Sequence, residues 1–279
     1  MKSETVKDTT AEKLKKYMAE HHEKSYVLVD VREPKEYGQA HIPGAVLIPL
    51  KEVETGIIDL ADKEKDLIFY CRSGRRSKIA GNLVADLGIP ARNIFNLKGG
   101  ILSWQGKSLP GFPRINLFSA DADAFSALAR ALELEKGTEQ FYIACARYLE
   151  DRRLSAEART LADFEVVHAR VIYRCMKRLK PDIQGFDEIF EEASDNIMEG
   201  GIAVSEAVAK LMHMEGEPCT NFSEMALEIE FAAYDLYKNL AAGTKDAEII
   251  RTMLMLCEQE KGHIRIIAHM LSECLRMED

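Results

Sequence analysis

The sequence predicts two domains of different class: an α/β domain whose parallel sheet carries helices on both faces, followed by an all-α four-helix bundle. Short apolar stretches alternate with helical ones up to residue 112, whereas only long helical patterns occur after residue 121. Pro and Gly are concentrated at 108–113, as in a linker. We therefore expect domains at 1–112 and 121–279, joined by a linker at 113–120.

The periodicity of apolar residues predicts the individual elements. In the first domain, strands are expected near 26–30, 46–48, 67–70 and 93–96, and helices near 10–19, 75–87 and 101–106. In the second domain, four long helices are expected near 121–149, 154–179, 221–241 and 245–275. The segment 181–220 is then a crossover between the second and third helices, with short helices near 186–192 and 203–208.

The charge differs between the two domains. Residues 1–112 carry 18 Lys and Arg against 15 Asp and Glu, and residues 113–279 carry 19 against 31. A slightly basic first domain suits anionic small molecules, whereas an acidic second domain argues against nucleic-acid binding. No apolar run approaches the roughly 18 residues of a membrane helix, and the first residues lack a secretory-signal pattern. We therefore expect no membrane partner and a cytoplasmic location.

The second domain contains Glu and His at spacings that predict a metal site. Two Glu-x-x-His motifs each follow a lone Glu by 30 residues, and the two sets are offset by 95 residues. Residues three apart share a helix face, and helix pairs that turn near Asp151 and Asp246 would bring both sets to one depth. Carboxylate and imidazole groups suit iron or another transition metal. The predicted ligands are Glu135, Glu165, His168, Glu230, Glu260 and His263.

A solvated helix face is the alternative explanation for any single Glu-x-x-His motif. Apolar neighbours such as Leu161 and Leu256 argue against it, since charged groups on an apolar face need a partner. Tyr142 and Tyr237 lie seven residues after the two lone glutamates. They are either hydrogen-bond donors to the ligands or core aromatics.

These motifs make the second domain resemble the ferritin-like di-iron carboxylate proteins, and within them the rubrerythrins. The resemblance implies a homodimer and two iron ions, with Mn or Zn as alternatives, bridged by Glu165 and Glu260 and each capped by one His. Two features depart from rubrerythrins. Ala233 stands where an extra ligating Glu is usual, and the chain has no Cys-x-x-Cys pair for a rubredoxin-type iron centre. Electrons would therefore come from an external donor.

The first domain has a different chemical centre, at Cys71. This residue closes a predicted apolar strand and is followed by a loop of small and basic residues and then by a helix. Amide N–H groups at the start of a helix lower the pKa of a thiol and bind anions. The alternative is a small buried hydrophobe, a common role of a free Cys. The loop reads Cys71-Arg72-Ser73-Gly74-Arg75-Arg76.

This loop resembles that of the rhodanese family of sulfurtransferases, together with Val29-Asp30-Val31-Arg32, His41-Ile42-Pro43-Gly44 and Lys98-Gly99-Gly100. The resemblance implies that the Cys71 thiolate takes a sulfane sulfur from a small donor, such as thiosulfate or a persulfide, and passes it to a thiol acceptor. Asp30 and Arg32 would support the site by hydrogen bonds. The donor would be bound by Arg72, Ser73, Gly74, Arg75 and Arg76.

The remaining cysteines show no spacing typical of disulfide pairs. We therefore expect free thiols at all of them, which fits a reducing compartment. These residues are Cys145, Cys175, Cys219, Cys257 and Cys274.

The two centres suggest a joint function. The leading hypothesis is that the first domain transfers sulfane sulfur while a di-iron site acts on peroxide or oxygen. The alternative is a protein that stores or senses iron and carries a persulfide on Cys71. A metal-free bundle that serves only for dimerisation is a third interpretation, and the two matched sets of ligands argue against it.

Overall fold

The chain divides into two compact units. The computed structural model describes residues 5–115 and 123–278. The first unit comprises Met1–Pro113 with Tyr237–Gly243, and the second comprises Arg114–Leu236 with Thr244–Asp279. Part of the predicted linker, 116–120, lies outside the described residues.

The first unit is built on a five-stranded sheet in which all paired strands are parallel. The strands, in the sheet order β1-β5-β4-β2-β3, are β1 Lys7–Thr9, β2 Tyr26–Asp30, β3 Val46–Leu47, β4 Asp66–Tyr70 and β5 Asn93–Leu97. Four of them match the predicted strands. The fifth, β1, was not predicted because three largely exposed residues show no apolar alternation; it pairs at the edge, with Lys7 opposite Phe95.

Alternate residues of the central strands pack on opposite faces of the sheet. Val29 and Phe69 contribute to a core that includes residues of α3 and α4, whereas Leu28 and Ile68 contribute to a core that includes residues of α1 and α2. The prediction of a parallel sheet with helices on both faces is therefore confirmed. These helices are α1 Ala11–Glu20, α2 Pro34–Gln39, α3 Val53–Gly56 and α4 Arg75–Asp86.

The helix predicted at 101–106 is wrong, because only a short 3-10 turn, Gly100–Ser103, forms there. Gly99 and Gly100 both have positive φ, at 84° and 58°. The amide of Ile101 then donates to the carbonyl of Cys71 at 2.8 Å, and the amide of Leu102 donates to that of Arg72 at 3.2 Å. These donors hold the loop after β4 instead of extending a helix.

Part of the Pro- and Gly-rich stretch at 108–113 packs against other residues of the first unit. Leu109 and His41 form an isolated antiparallel bridge, with N···O distances of 2.9 Å in both directions. Phe112 stacks on Tyr37, with ring centroids 5.4 Å apart. Composition correctly indicated a break in regular structure here, but this stretch still packs on the first domain.

The second unit is helical in its described residues. The two predicted turns are confirmed, since three residues separate the first pair of long helices and three separate the second pair. Asp151 caps the second helix of the first pair, accepting hydrogen bonds from the amides of Arg153 and Leu154. The long helices are α5 Ala124–Tyr148, α6 Arg152–Leu179, α9 Pro218–Gly243 and α10 Ala247–Glu278, and the crossover carries α7 Phe186–Glu192 and α8 Val204–Met212.

The expectation that every cysteine is a free thiol is wrong. Cys219, in the first turn of α9, forms a disulfide with Cys274, near the end of α10, across a separation of 55 residues. The spacing gave no sign of this pair because it results from the antiparallel packing of two helices. The argument from free thiols to a reducing compartment falls with it. Cys71, Cys145, Cys175 and Cys257 remain thiols.

Within residues 5–115 and 123–278, no helix has a stretch apolar and long enough to cross a membrane.

Candidate functional site

The first site forms around Cys71, directly after β4. The Cys71 Sγ accepts a hydrogen bond from the amide of Gly74 at 3.1 Å and lies 3.4 Å from the hydroxyl of Ser77. Gly74, with φ of 88°, turns the chain into α4. A strand end, a left-handed glycine and a helix start therefore aim N–H groups at one sulfur atom.

Two glycines, Gly74 within this loop and Gly100 behind it, allow a close approach of the backbone. A Cβ on Gly100 would lie 2.2 Å from the carbonyl oxygen of Cys71, and a Cβ on Gly74 would lie 3.0 Å from the amide nitrogen of Gly99. Cβ atoms in proteins essentially never lie as close to another atom as 2.2 Å, so a side chain does not fit at position 100. The shape of the loop therefore depends on the absence of side chains at these positions.

The environment of Cys71 favours its thiolate. Burial raises the pKa of Cys71, but the Ser77 hydroxyl and the amides of Ser77, Ser73 and Gly74 outweigh it, and the pKa lies below its ordinary value of 9.0. Cys145 shows the opposite case, because burial without comparable donors raises its pKa to about 12. Of these two thiols, Cys71 is therefore the one whose surroundings favour the thiolate, the form that reacts as a nucleophile.

The basic residues of the loop divide into two kinds. Within the Cys71 loop, Arg72 and Arg75 are exposed, as is Ser73. Arg76 instead forms a two-point ion pair with Glu36, with both N···O distances at 2.7 Å, and this pair raises the pKa of Arg76. Arg72 and Arg75 are therefore available to an anion from solvent, while Arg76 is already paired.

Asp30 and Arg32 form a buried ion pair at the same edge of the sheet. Arg32 donates to both oxygens of Asp30, at 3.0 Å and 2.6 Å, and also to the carbonyl of Ala40 at 2.7 Å. Asp30 lies opposite Tyr70, the residue before Cys71, in the pairing of β2 with β4. The pair thus ties the end of β2 to the segment after α2, beside the reactive loop.

The second site lies between the four long helices. All six ligands predicted from the sequence are buried, with at most 5% of their surface exposed. The helix α5 provides Glu135 and α9 provides Glu230. Each of the other two long helices provides a Glu and a His three residues apart: Glu165 and His168 from α6, and Glu260 and His263 from α10.

These side chains form two overlapping groups that could each hold a metal ion. At one end, His168 Nδ1 lies 3.0 Å from Glu165 Oε2 and 3.2 Å from Glu135 Oε2. At the other end, His263 Nδ1 lies 3.2 Å from Glu230 Oε2. Glu260 lies within 3.5 Å of both imidazoles and belongs to both groups.

The central carboxylates fit bound cations. All four side-chain oxygens of Glu165 and Glu260 are buried, and none accepts a hydrogen bond from a described residue. A buried oxygen without a partner lowers the stability of the fold by about 1–3 kcal/mol, and by more when it is charged, unless another group binds it. Iron, manganese and zinc bind at sites where several carboxylate oxygens and imidazole nitrogens meet, as they do here.

The pKa values of the cluster reflect its burial and the close spacing of its carboxylates. Burial and the neighbouring carboxylates, Glu230 first among them, raise the pKa of Glu165 well above its ordinary value. Burial also raises that of Glu260. Burial alone would lower the pKa of His168, but Glu260 and Glu135 raise it to about 10. Metal binding to these side chains would therefore release protons from them.

One of the two predicted tyrosines reaches a ligand directly. Tyr142 donates a hydrogen bond to Glu230 Oε1 at 2.6 Å, from α5 to α9. Although burial raises the pKa of Glu230, His263 and Tyr142 help to keep it below its ordinary value. Tyr237 is completely buried.

Glu199 joins the cluster although sequence reasoning did not include it. It lies in the crossover, in a 3-10 turn at Glu199–Gly201, and is completely buried. One of its carboxylate oxygens lies within 4.8 Å of ligand oxygens of Glu135 and Glu165. The only signal in the sequence was its place beside Gly200 and Gly201, which the pattern marks merely as a break between short helices.

Comparison with known proteins agrees with both centres. Residues 10–107 match the family described as rhodanese-like domain, and residues 126–271, more than half of the chain, match the family described as rubrerythrin. The putative sulfur carrier protein YrkF of Bacillus subtilis is 38% identical over 86 residues, which are 31% of this chain and 45% of that protein. This chain therefore spans less than half the length of that relative.

Two further relatives also match the first domain. A sulfurtransferase of Allochromatium vinosum is 36% identical over 84 residues, which are 30% of this chain and 76% of that protein. A solved rhodanese-like domain protein from Staphylococcus aureus is 27% identical with a TM-score of 0.32, over 37% of this chain and 94% of that one. The two family matches show that the chain belongs to the rubrerythrin family and carries a rhodanese-like domain before its rubrerythrin domain.

Proposed function

We propose that the first domain is a rhodanese-type sulfurtransferase in which Cys71 carries sulfane sulfur as a persulfide. The observation that carries this proposal is the set of donors to Sγ, which lowers the pKa of the thiol. The similarity to a sulfurtransferase and to a putative sulfur carrier supports it. Arg72 and Arg75, which are exposed within the loop, would attract an anionic donor such as thiosulfate.

The transfer balances without any oxidant. The Cys71 thiolate attacks the outer sulfur of thiosulfate, the S–S bond of the donor breaks, and sulfite leaves with the electron pair. The amides of Ser73, Gly74 and Ser77 that stabilise the thiolate then face the persulfide. An acceptor thiolate attacks the outer sulfur of this persulfide, which releases Cys71 as a thiolate and leaves the sulfur on the acceptor.

The test is the rate of thiosulfate consumption with a thiol acceptor, together with mass spectrometry of the intact protein. We expect a mass increase of one sulfur atom in the wild type and none in Cys71→Ser. Cys175→Ser is a matched control, because Cys175 is also free and buried but lies in α6. Transfer that persists in Cys71→Ser would contradict the proposal.

We further propose that the bundle binds two iron ions and acts on peroxide or oxygen. Glu165 and Glu260 would help to hold the ions at the centre of the site, with Glu135 and His168 at one end and Glu230 and His263 at the other. Bound iron would supply the electrons for reduction of the oxidant. The support is the four buried oxygens of Glu165 and Glu260, which accept no hydrogen bond from a described residue.

The chain's own residues prepare this site in two ways. The helices exclude bulk water, since all six ligands are buried. The Tyr142 hydroxyl, whose oxygen lies 2.6 Å from Glu230 Oε1, fixes this carboxylate and holds a proton beside it. The sequence has no Cys-x-x-Cys pair, so an external donor would supply the electrons.

The test begins with elemental analysis and the optical spectrum of the whole protein from iron-replete cells. We expect two irons per chain, lost in the double variant Glu165→Ala with Glu260→Ala. The reduced wild type should then consume peroxide, and Glu230→Gln should consume it more slowly. The absence of bound iron in the wild type would contradict the proposal for this domain.

A second candidate function keeps the metal site but omits turnover. In it, the bundle stores or senses iron, and Cys71 only carries a persulfide to a partner. The similarity to a putative sulfur carrier favours the second part. Two irons per chain without peroxide consumption by the reduced protein would support this alternative.

A further inference from the structure

Glu199 is placed in the metal cluster by a small backbone hairpin in the crossover. The amide of Met198 donates to the carbonyl of Ile202 at 3.0 Å, and the amide of Gly201 donates to that of Met198 at 3.0 Å. Gly200 and Gly201 have φ of 76° and 70°, which lets the chain reverse within these few residues. Glu199 lies at the tip of this reversal.

The helix α5 is shaped to receive the hairpin. A Cβ on Gly137 would lie 2.2 Å from the carbonyl oxygen of Ile197, so the hairpin touches α5 where α5 has no side chain. The next residue, Thr138, accepts a hydrogen bond from the amide of Glu199 at 3.2 Å, and its hydroxyl lies 3.3 Å from Glu199 Oε2. Gly137 and Thr138 thus fix both the backbone and the side chain of Glu199.

The resulting position is asymmetric within the site. A carboxylate oxygen of Glu199 lies within 4.8 Å of Glu135 and Glu165, and no corresponding extra carboxylate joins the group of Glu230, Glu260 and His263 among the described residues. Glu165, which shares the Glu199 group, has both oxygens buried without a hydrogen-bond donor among the described residues. Both observations indicate a cation between Glu199, Glu135 and Glu165.

Charge balance supports the same conclusion. Glu199 is completely buried, and so are the four other carboxylates of the cluster, Glu135, Glu165, Glu230 and Glu260. A buried carboxylate next to other carboxylates is strongly unfavourable unless a cation binds it. The extra carboxylate that is usual in rubrerythrins would stand at 233 on α9, where this chain has Ala233. Here a carboxylate arrives from the crossover instead.

We propose that Glu199 is a seventh protein ligand, bound to the metal ion that Glu135 and His168 hold. The two metal positions are then unequal, and the position with Glu199 binds its ion more tightly. This inference rests on the proposed metal site. It assigns a ligand role to a residue outside the four long helices.

The test is a calorimetric titration of the whole metal-free protein with Co²⁺, in wild type and Glu199→Gln. The wild type should bind two ions in separate steps, and Glu199→Gln should lose at least about tenfold in affinity for the tighter step. Glu191→Gln is the matched control, because Glu191 lies in the same crossover but is exposed. It should titrate like the wild type.

A stability measurement separates a ligand from a structural residue. Glutamine keeps the shape of Glu199 and removes a buried charge, so the metal-free variant should melt at the same temperature as the wild type or higher. The Co²⁺-loaded variant should melt lower than the loaded wild type. A metal-free variant that is destabilised or fails to fold, with Glu199→Asp behaving in the same way, would indicate a structural role and overturn the proposal.

The outcomes distinguish this inference from the proposed function. Two ions bound with unchanged affinities in Glu199→Gln would overturn the seventh ligand and leave the metal site intact. A wild type that binds no Co²⁺ would overturn both. Anomalous diffraction from a Co²⁺-loaded crystal gives an independent reading, since the proposal requires a Glu199 oxygen about 2 Å from one ion.

Discussion

At the scale of single residues, both centres depend on hydrogen-bond donors placed against buried acceptors. The Cys71 sulfur receives N–H and O–H groups from the start of α4, and Glu230 receives the hydroxyl of Tyr142. The residue types were readable from the sequence, because a Cys at a strand end and a Glu three residues before a His indicate particular chemistry. The individual donors were not all readable, since they come from separate turns and helices.

The first prediction concerns the pH dependence of Cys71. Because its pKa lies below 9.0, its alkylation by iodoacetamide should reach half its maximal rate at a pH below 9.0. Ser77→Ala removes a donor to the thiolate and should move this midpoint upward, so that alkylation at neutral pH becomes slower. The measurement is the alkylation rate against pH, followed by mass spectrometry.

Ser73→Ala is the matched control for that experiment. The contact of Ser73 with the thiolate is made by its amide, which alanine keeps. The midpoint should therefore be unchanged. Cys145, whose pKa is about 12, should remain unlabelled over the same pH range. Equal shifts in Ser77→Ala and Ser73→Ala would contradict a specific role for the Ser77 hydroxyl.

The second prediction concerns Tyr142. Tyr142→Phe removes the hydrogen bond to the buried carboxylate of Glu230, which should lower metal affinity by about tenfold or more. Tyr148→Phe should have no effect, because Tyr148 is 49% exposed at the end of α5. Titration with Co²⁺ checks both variants. Equal affinities in Tyr142→Phe and wild type would show that the tyrosine is only a core aromatic.

At the scale of elements, glycines decide how closely segments approach one another. Gly100 allows the turn after β5 to hold the Cys71 loop, and Gly137 allows the crossover to contact α5. The sequence shows these glycines but not which of them are needed. Gly262, in α10, has no atom within 4 Å of its hypothetical Cβ, so its helix could accept a side chain there.

The third prediction compares two glycines of the bundle. Gly137→Ala forces the Ile197 carbonyl to move and should lower stability by about 1–3 kcal/mol, together with the affinity of the tighter metal position. Gly262→Ala should instead raise stability by up to about 1 kcal/mol, since alanine favours the helix. Urea unfolding and Co²⁺ titration of both variants provide the measurements. A Gly137→Ala variant with wild-type affinity would separate the crossover from the metal site.

The fourth prediction concerns the disulfide between the start of α9 and the end of α10. Replacing Cys219 and Cys274 together by Ala should lower the free energy of unfolding by about 2–4 kcal/mol, because the unfolded chain regains the entropy of a long loop. Metal content should be unchanged, since neither cysteine is among the candidate ligands. Loss of metal in the double variant would show that the disulfide also positions the ligands.

At the scale of the whole molecule, two chemical centres occur in two separately described units. The Cys71 site lies within the first unit, and the six predicted ligands with Glu199 lie within the second. The two centres have no residue in common. The simplest consequence is that each centre can be removed without destroying the other.

The fifth prediction tests this independence. Cys71→Ser should abolish persulfide formation and keep two metal ions per chain, whereas Glu165→Ala with Glu260→Ala should lose the metal and keep sulfur transfer. Elemental analysis and the thiosulfate assay are run on the same preparations of the whole protein. Loss of both activities in either variant would show that the two centres are coupled.

The sequence by itself determined the two fold classes, because periodicity and the Glu-x-x-His repeat are local properties of the chain. It also predicted which residues form the two candidate centres. Only the tertiary structure decided which distant groups meet. Glu199 reaches the cluster through a glycine hairpin on α5, Arg76 pairs with Glu36, and Cys219 pairs with Cys274. These contacts depend on how separate elements pack, and no spacing along a single element encodes them.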